Sequence, residues 1–128
     1  MIALAIAAAA PWATAQEFER RIAVTLDATN PARTWEDAIS DFEAVAYVVP
    51  LRQGQKLHLL LASNNASNCF DVYAPGASKP VYVGGESGNA HAVQAQVAGD
   101  YVIRVYLLRL AARDGQSAQY ALEMKLAQ

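Results

Sequence analysis

Arg109 and Arg113 stand four residues apart in the segment Leu107-Leu108-Arg109-Leu110-Ala111-Ala112-Arg113-Asp114-Gly115. If this segment contains one helical turn, that spacing puts both side chains on one face, where their guanidinium groups form a two-pronged cationic tip. A guanidinium is a rigid fork of N–H donors that fits a carboxylate with two parallel hydrogen bonds, so carboxylate recognition is the chemistry this pair suits. The alternative is a pair of solvated charges on a loop crown, with Arg113 paired to Asp114 or stabilising the end of the turn by its charge.

The other residues that could do chemistry are few. The chain holds 2 histidines, His58 and His91, and 1 cysteine, Cys69. His58 falls on the polar face of the strand that carries Leu57, Leu59 and Leu61, and His91 opens a strand beside Gly88-Asn89. A Ser-His-acid hydrolase needs its nucleophile on a strained, exposed turn, and no G-x-S-x-G occurs. Glu36 and Asp37 are adjacent, so on a strand they point to opposite faces and do not form a ready acid/base pair. Neither G-x-x-x-x-G-K-[ST] nor G-x-G-x-x-G is present, and Gly84-Gly85 with Gly88 is read as lacking the strand-to-helix setting of a phosphate cradle. One cysteine and two histidines are too few for a zinc site and form no internal disulfide. Cys69 is either a reactive thiol or a small buried filler, the commoner role of a free cysteine. A calcium-stabilised domain rests only on the scattered Asp and Asn between Asn64 and Asp71. The expectation is a protein that is not an enzyme, with no cofactor and no metal.

The elements that must position the arginines read as strands. From Ser117 to Gln128, Ala118, Tyr120, Leu122, Met124 and Leu126 share one face, while Gln119, Glu123 and Lys125 share the other. That alternation marks a strand with one buried side. Tyr101–Arg109 repeats the pattern with Tyr101, Ile103, Val105 and Leu107 inward. Earlier strands are expected at Arg20–Asp27, Arg33–Ser40, Glu43–Leu51 (Val45, Tyr47, Val49 and Leu51 inward), Lys56–Ala62, Cys69–Ala74, Lys79–Val83 and His91–Val97. Turn-forming residues separate them, at Arg52–Gln55, Ser63–Asn68, Pro75-Gly76, Gly84–Asn89 and Ala98–Asp100. About eight to nine short strands at this spacing predict an all-β fold, an antiparallel two-sheet β-sandwich. The Leu107–Gly115 segment joins the last two strands and is longer and more helix-prone than a hairpin needs.

At 128 residues the chain is one domain. Its apolar fraction of 54% is inflated by the first fifteen residues, thirteen of them apolar. The short apolar run Ile2–Ala10 and the A-x-A pattern Ala13-Thr14-Ala15 read as a signal peptide over 1–15 with cleavage before Gln16, although no basic residue precedes Arg20. The run before Pro11 is too short to span a bilayer. Residues 16–128 are then a single exported domain, and the periplasm is the expected compartment. All 10 Lys and Arg and all 12 Asp and Glu follow Gln16, leaving a net charge of −2. That balance argues against nucleic acid or an anionic membrane as the partner.

The C-terminal run Gly99-Asp100-Tyr101-Val102-Ile103-Arg104-Val105-Tyr106-Leu107-Leu108-Arg109-Leu110-Ala111-Ala112-Arg113 resembles the signature G-D-Y-x-[IV]-x-V-Y-L-M-R-x-A-A-R-R-x-E of the periplasmic inhibitors of g-type lysozyme. Asn68-Cys69-Phe70-Asp71-Val72-Tyr73-Ala74-Pro75-Gly76 is similar to the family's N-x-x-F-N-V-x-P-P-G, and Gln53-Gly54-Gln55 to its Ala-Gly-Gln. Tyr47 also falls where the family carries a tyrosine. The likeness runs from about Arg33 to Leu126. Leu108 stands in place of Met, Ala74 in place of the first Pro, Asp114 in place of Arg, and Gly115-Gln116 in place of the stretch ending in Glu.

The resemblance implies a small exported β-sandwich, similar to bacterial pre-peptidase C-terminal domains, that protects peptidoglycan by blocking the active-site cleft of g-type lysozyme. Arginines would then meet the carboxylates the enzyme uses for glycoside hydrolysis. The partner-binding residues it points to are Arg109 and Arg113, with Tyr47 and Tyr106 as aromatic contacts and Asp114 reversing the charge at the tip. The other reading is a non-inhibitory glycan- or protein-binding module of the envelope, with Tyr47, Tyr73, Tyr82 and Tyr106 as stacking surfaces. An exposed aromatic platform on a sheet face would favour the module, and a protruding arginine tip the inhibitor. Exposed strand edges leave dimerisation open.

Overall fold

Alternation along the final strand organises the molecule. In β9 (Ser117–Ala127) the side chains of Ala118, Tyr120, Leu122, Met124 and Leu126 are buried, and the residues between them face outward. β8 (Gly99–Leu107) does the same with Tyr101, Ile103, Val105 and Leu107. Each lies inside its sheet, with a neighbouring strand paired along both of its edges. The remaining strands are β1 (Glu19–Ala23), β2 (Ala32–Ser40), β3 (Ala44–Leu51), β4 (Lys56–Ser63), β5 (Asn68–Tyr73), β6 (Tyr82–Val83) and β7 (Ala90–Gln94). Two one-turn helices interrupt them, α1 (Gly84–Ser87) and α2 (Arg109–Arg113). This computed structural model describes residues 19–127, and the leader expected at 1–15 lies outside the described residues.

One sheet has the order β1-β3-β8-β5-β6 and the other β2-β9-β4-β7. Their inner faces meet in a single core to which Tyr47, Phe70 and Ile103 contribute from the first sheet and Ile39, Leu57, Leu122 and Met124 from the second. Each such side chain, removed from water, contributes about 1.5–3 kcal/mol against the entropy of ordering the chain. The all-β sandwich expected from the alternation is the fold observed.

The expectation of wholly antiparallel sheets needs one correction. β1 runs parallel to β3, with Glu19 opposite Ala44 and Ala23 opposite Val48. β2 lies between them in sequence but belongs to the other sheet, so the chain crosses over and returns, and two reversals bring β3 back in the direction of β1. β1 is also shorter than the expected Arg20–Asp27. The carboxylate of Asp27 accepts the N–H groups of Thr29 and Asn30, at 2.9 and 2.8 Å, and turns the chain towards β2.

A second correction concerns Gly84-Gly85. These residues do follow a strand directly and open a helix, α1, but it is a single turn of four residues. Its role is packing: α1 lies over the outer face of β5 and leaves Cys69 and Asp71 only 3% and 8% exposed. Burial pushes the Cys69 thiol above its usual pKa, so it stays protonated, as expected of a filler.

Candidate partner-binding surface

The arginine segment folds as the spacing anticipates. The Leu108 N–H donates to Ser67 O at 2.8 Å, which ties the end of β8 to the β4–β5 loop, and the chain then makes one helical turn. Ala111 and Ala112 are buried and seat α2 on the core, while Arg109, Leu110 and Arg113 face solvent. Small side chains on the inner face let the helix sit close to the sheets. The four-residue spacing then places both arginines outward.

The turn stops at Gly115. Its N–H donates to Ala112 O and the Gln116 N–H to Ala111 O, both at 3.1 Å, the paired bonds of a Schellman motif. Gly115 has φ +73°, a conformation that a Cβ disfavours. The glycine that departs from the resembled signature is therefore what ends the helix. A Cβ there would meet only Asp41 Oδ1 at 3.5 Å, so the penalty comes from the backbone conformation alone. Gly115→Ala is expected to lower stability by about 1 kcal/mol in urea unfolding, with an unchanged dependence on urea.

Two loops brace the tip. The Asp41 N–H donates to Gln116 O at 3.0 Å from the β2–β3 turn. Asn65 Nδ2 donates to Ser117 O and Gln116 Oε1, and its Oδ1 accepts the Ser67 N–H. Asn64 Oδ1 accepts the Gln119 N–H at 2.9 Å. The polar run between Asn64 and Asp71 is thus engaged in holding loops together. No carboxylate among the described residues lies within ion-pair distance of Arg109 or Arg113, and Asp114, exposed at the helix end, is not paired with Arg113.

Tyr106 sits half-buried beside this tip. Its hydroxyl donates to Asp71 Oδ1 at 2.8 Å, and the same oxygen accepts the Gly84 N–H at 3.3 Å. Burial, with this carboxylate adding to it, pushes the Tyr106 hydroxyl far above its usual pKa, so it remains a donor. The Arg104 guanidinium lies 5.3 Å from the ring centroid and is held by Glu19, with Nε to Oε1 at 3.2 Å. Tyr106, Arg104 and Arg109 line a shallow groove of about 270 Å³ with Phe42, Glu43 and Leu107.

Tyr47 does not belong to this surface. It is fully buried, its hydroxyl lies 2.8 Å from that of Tyr120 in the facing sheet, and Trp35 packs against its ring at 5.6 Å. Burial, before any other cause, pushes both hydroxyls above their usual pKa, so they remain a neutral hydrogen-bonded pair joining the sheets. The strand alternation already put Tyr47 inward with Val45 and Val49, and a buried core residue cannot serve as an aromatic contact. Nor do the tyrosines form a stacking platform. Tyr82 is buried with its ring stacked on His91 at 3.8 Å, and Tyr73 and Tyr106 are part-buried. Phe42 and Arg104 are groove residues that sequence reasoning missed. A large apolar residue in a tight turn was the available signal for Phe42.

Solved structures share this architecture. PliG from Aeromonas hydrophila, a periplasmic lysozyme inhibitor of g-type lysozyme, superposes with a TM-score of 0.73 at 18% identity over 85% of this chain and 99% of that one. The fold is the PliG fold. PliG from Salmonella Typhimurium gives 0.66 at 20% identity, covering 84% and 98% of the two chains. A mutant of PliG from Escherichia coli gives 0.66 at 18%, covering 85% and 99%. No protein-family model and no curated protein matches the chain. At 18–20% identity, the solved structures share with this chain its backbone and its arrangement of strands.

Proposed function

We propose that this protein is an exported, periplasmic inhibitor of g-type lysozyme that blocks the enzyme's cleft and so protects bacterial peptidoglycan. The observation that carries the reading is the braced α2 tip. Two outward arginines, with no carboxylate of the described residues within ion-pair distance of them, stand at one end of a sandwich that shares the PliG fold. A glycosidase cleft carries a pair of carboxylates, and a guanidinium fork held on a rigid element loses little entropy in meeting one of them. Inhibition by occlusion needs no bond-making, in keeping with the shortage of nucleophile-and-base pairs. The leader read over 1–15 supports export. The stacking-module reading needs an exposed aromatic platform, and the burial of Tyr47 and Tyr82 takes away two of its four rings.

Protein comprising residues 16–128 should slow lysis of peptidoglycan by a g-type lysozyme at near-stoichiometric ratio. An undiminished lysis rate at a large excess of the protein would sink the proposal.

A further inference from the structure

Phe42 is 53% exposed in the tight turn between β2 and β3, where Asp41 adopts φ +56°. Single exposed apolar residues are ordinary on protein surfaces, so exposure alone decides nothing. Its company separates Phe42 from the rest. Among the described residues, Leu60, Val81 and Val97 are exposed on separate elements, whereas Phe42 lines the same groove as Arg109, and Leu110, 72% exposed, follows Arg109 on α2. The charges in the groove are unequally engaged. Glu43 Oε1 accepts the Ser40 N–H at 2.7 Å and Arg104 is paired with Glu19, while Arg109 has no carboxylate of the described residues within reach. An apolar slot with one unengaged guanidinium is complementary to a carboxylate set beside an apolar side chain.

We infer that Phe42, in the groove with Arg109, and Leu110, exposed next to Arg109 on α2, are apolar anchors that border an Arg109–carboxylate contact, and that the matching surface of the lysozyme carries an apolar side chain next to that carboxylate. The inference rests on the inhibitor reading and extends it to two residues outside the arginine pair. Water excluded by the two side chains strengthens the ion pair, because the same charges attract more strongly at lower local dielectric. Neither side chain fills the core, so both are available to the partner without loss of the fold.

Binding of purified g-type lysozyme by calorimetry, at low and high salt, tests this. Phe42→Ser and Leu110→Ser are each expected to weaken binding tenfold or more at an unchanged melting temperature, and the residual binding should be more salt-sensitive than the parent's. Leu60→Ser and Val97→Ser, exposed elsewhere to about the extent of Phe42, should bind as the parent does. Parental affinity in Phe42→Ser and Leu110→Ser overturns the anchors while leaving the inhibitor reading intact. A parent protein that binds no g-type lysozyme overturns both.

Discussion

Exchanging Arg109 and Arg113 together for alanine is expected to abolish inhibition of g-type lysozyme while leaving the melting temperature within a degree or two of the parent. The stability half of this expectation follows from position. Both side chains face solvent on α2, and the helix is held by buried Ala111 and Ala112 and by its Gly115 stop, none of which the substitutions touch. Exposed substitutions of this kind change stability by about 0.5 kcal/mol or less. The inhibition half follows from burial on binding. A guanidinium taken into a cleft against a carboxylate leaves that carboxylate desolvated and unpaired when it is removed, a cost of about 2–5 kcal/mol per pair. At about 1.4 kcal/mol per factor of ten, losing one pair weakens binding at least tenfold, and losing both removes measurable inhibition at stoichiometric ratio. Inhibition constants from lysis assays, beside thermal melts, read the two halves separately. A double variant that inhibits as well as the parent would mean that α2 is not the contact.

The arginines were readable in the sequence because a spacing of four specifies a shared helical face, while the buried Ala111 and Ala112 that seat that helix emerge only from the structure. β8 and β9 were readable because a strand with one wet face writes its orientation into every second residue. The parallel pairing of β1 was not, since it depends on β2 leaving the sheet, and nothing local to Glu19–Ala23 records where a later strand goes. Tyr47 carries a different lesson. Alternation along β3 turned it inward, whereas a positional likeness to a family tyrosine suggested an exposed role, and the local physics was the better guide because a core strand has no freedom to reverse one side chain. Phe42 stayed hidden for the converse reason: turns carry no periodicity, so an apolar residue there has no expected face until the neighbouring loops are in place.

Gly84→Ala should be the most damaging single-methyl substitution outside the core. A Cβ on Gly84 would overlap the carbonyl oxygen of Phe70 and come within 3.0 Å of its nitrogen and 3.2 Å of its carbonyl carbon, all of them backbone atoms of β5. No rotamer relieves a clash with backbone, so either α1 lifts away or β5 shifts within its sheet, at a cost on the order of 3 kcal/mol. For a domain stable by about 5–15 kcal/mol, that is a large share of the whole. Gly85→Ala makes the control, because its nearest neighbour is the Leu108 Cδ2 at 3.0 Å, the mobile end of a half-exposed side chain that can step aside. The lone cysteine supplies a local readout. Cys69 is 3% exposed beneath α1, with its thiol held protonated by burial, so a thiol reagent should label the parent and Gly85→Ala slowly. In Gly84→Ala a lifted α1 should let the reagent in well below the urea concentration that unfolds the protein. The same movement withdraws the Gly84 N–H from Asp71, the carboxylate that fixes the Tyr106 hydroxyl beside the groove. Loss of inhibition should therefore accompany fast labelling, and a Gly84→Ala protein that melts and labels like the parent would show that α1 is not packed against β5 in this way.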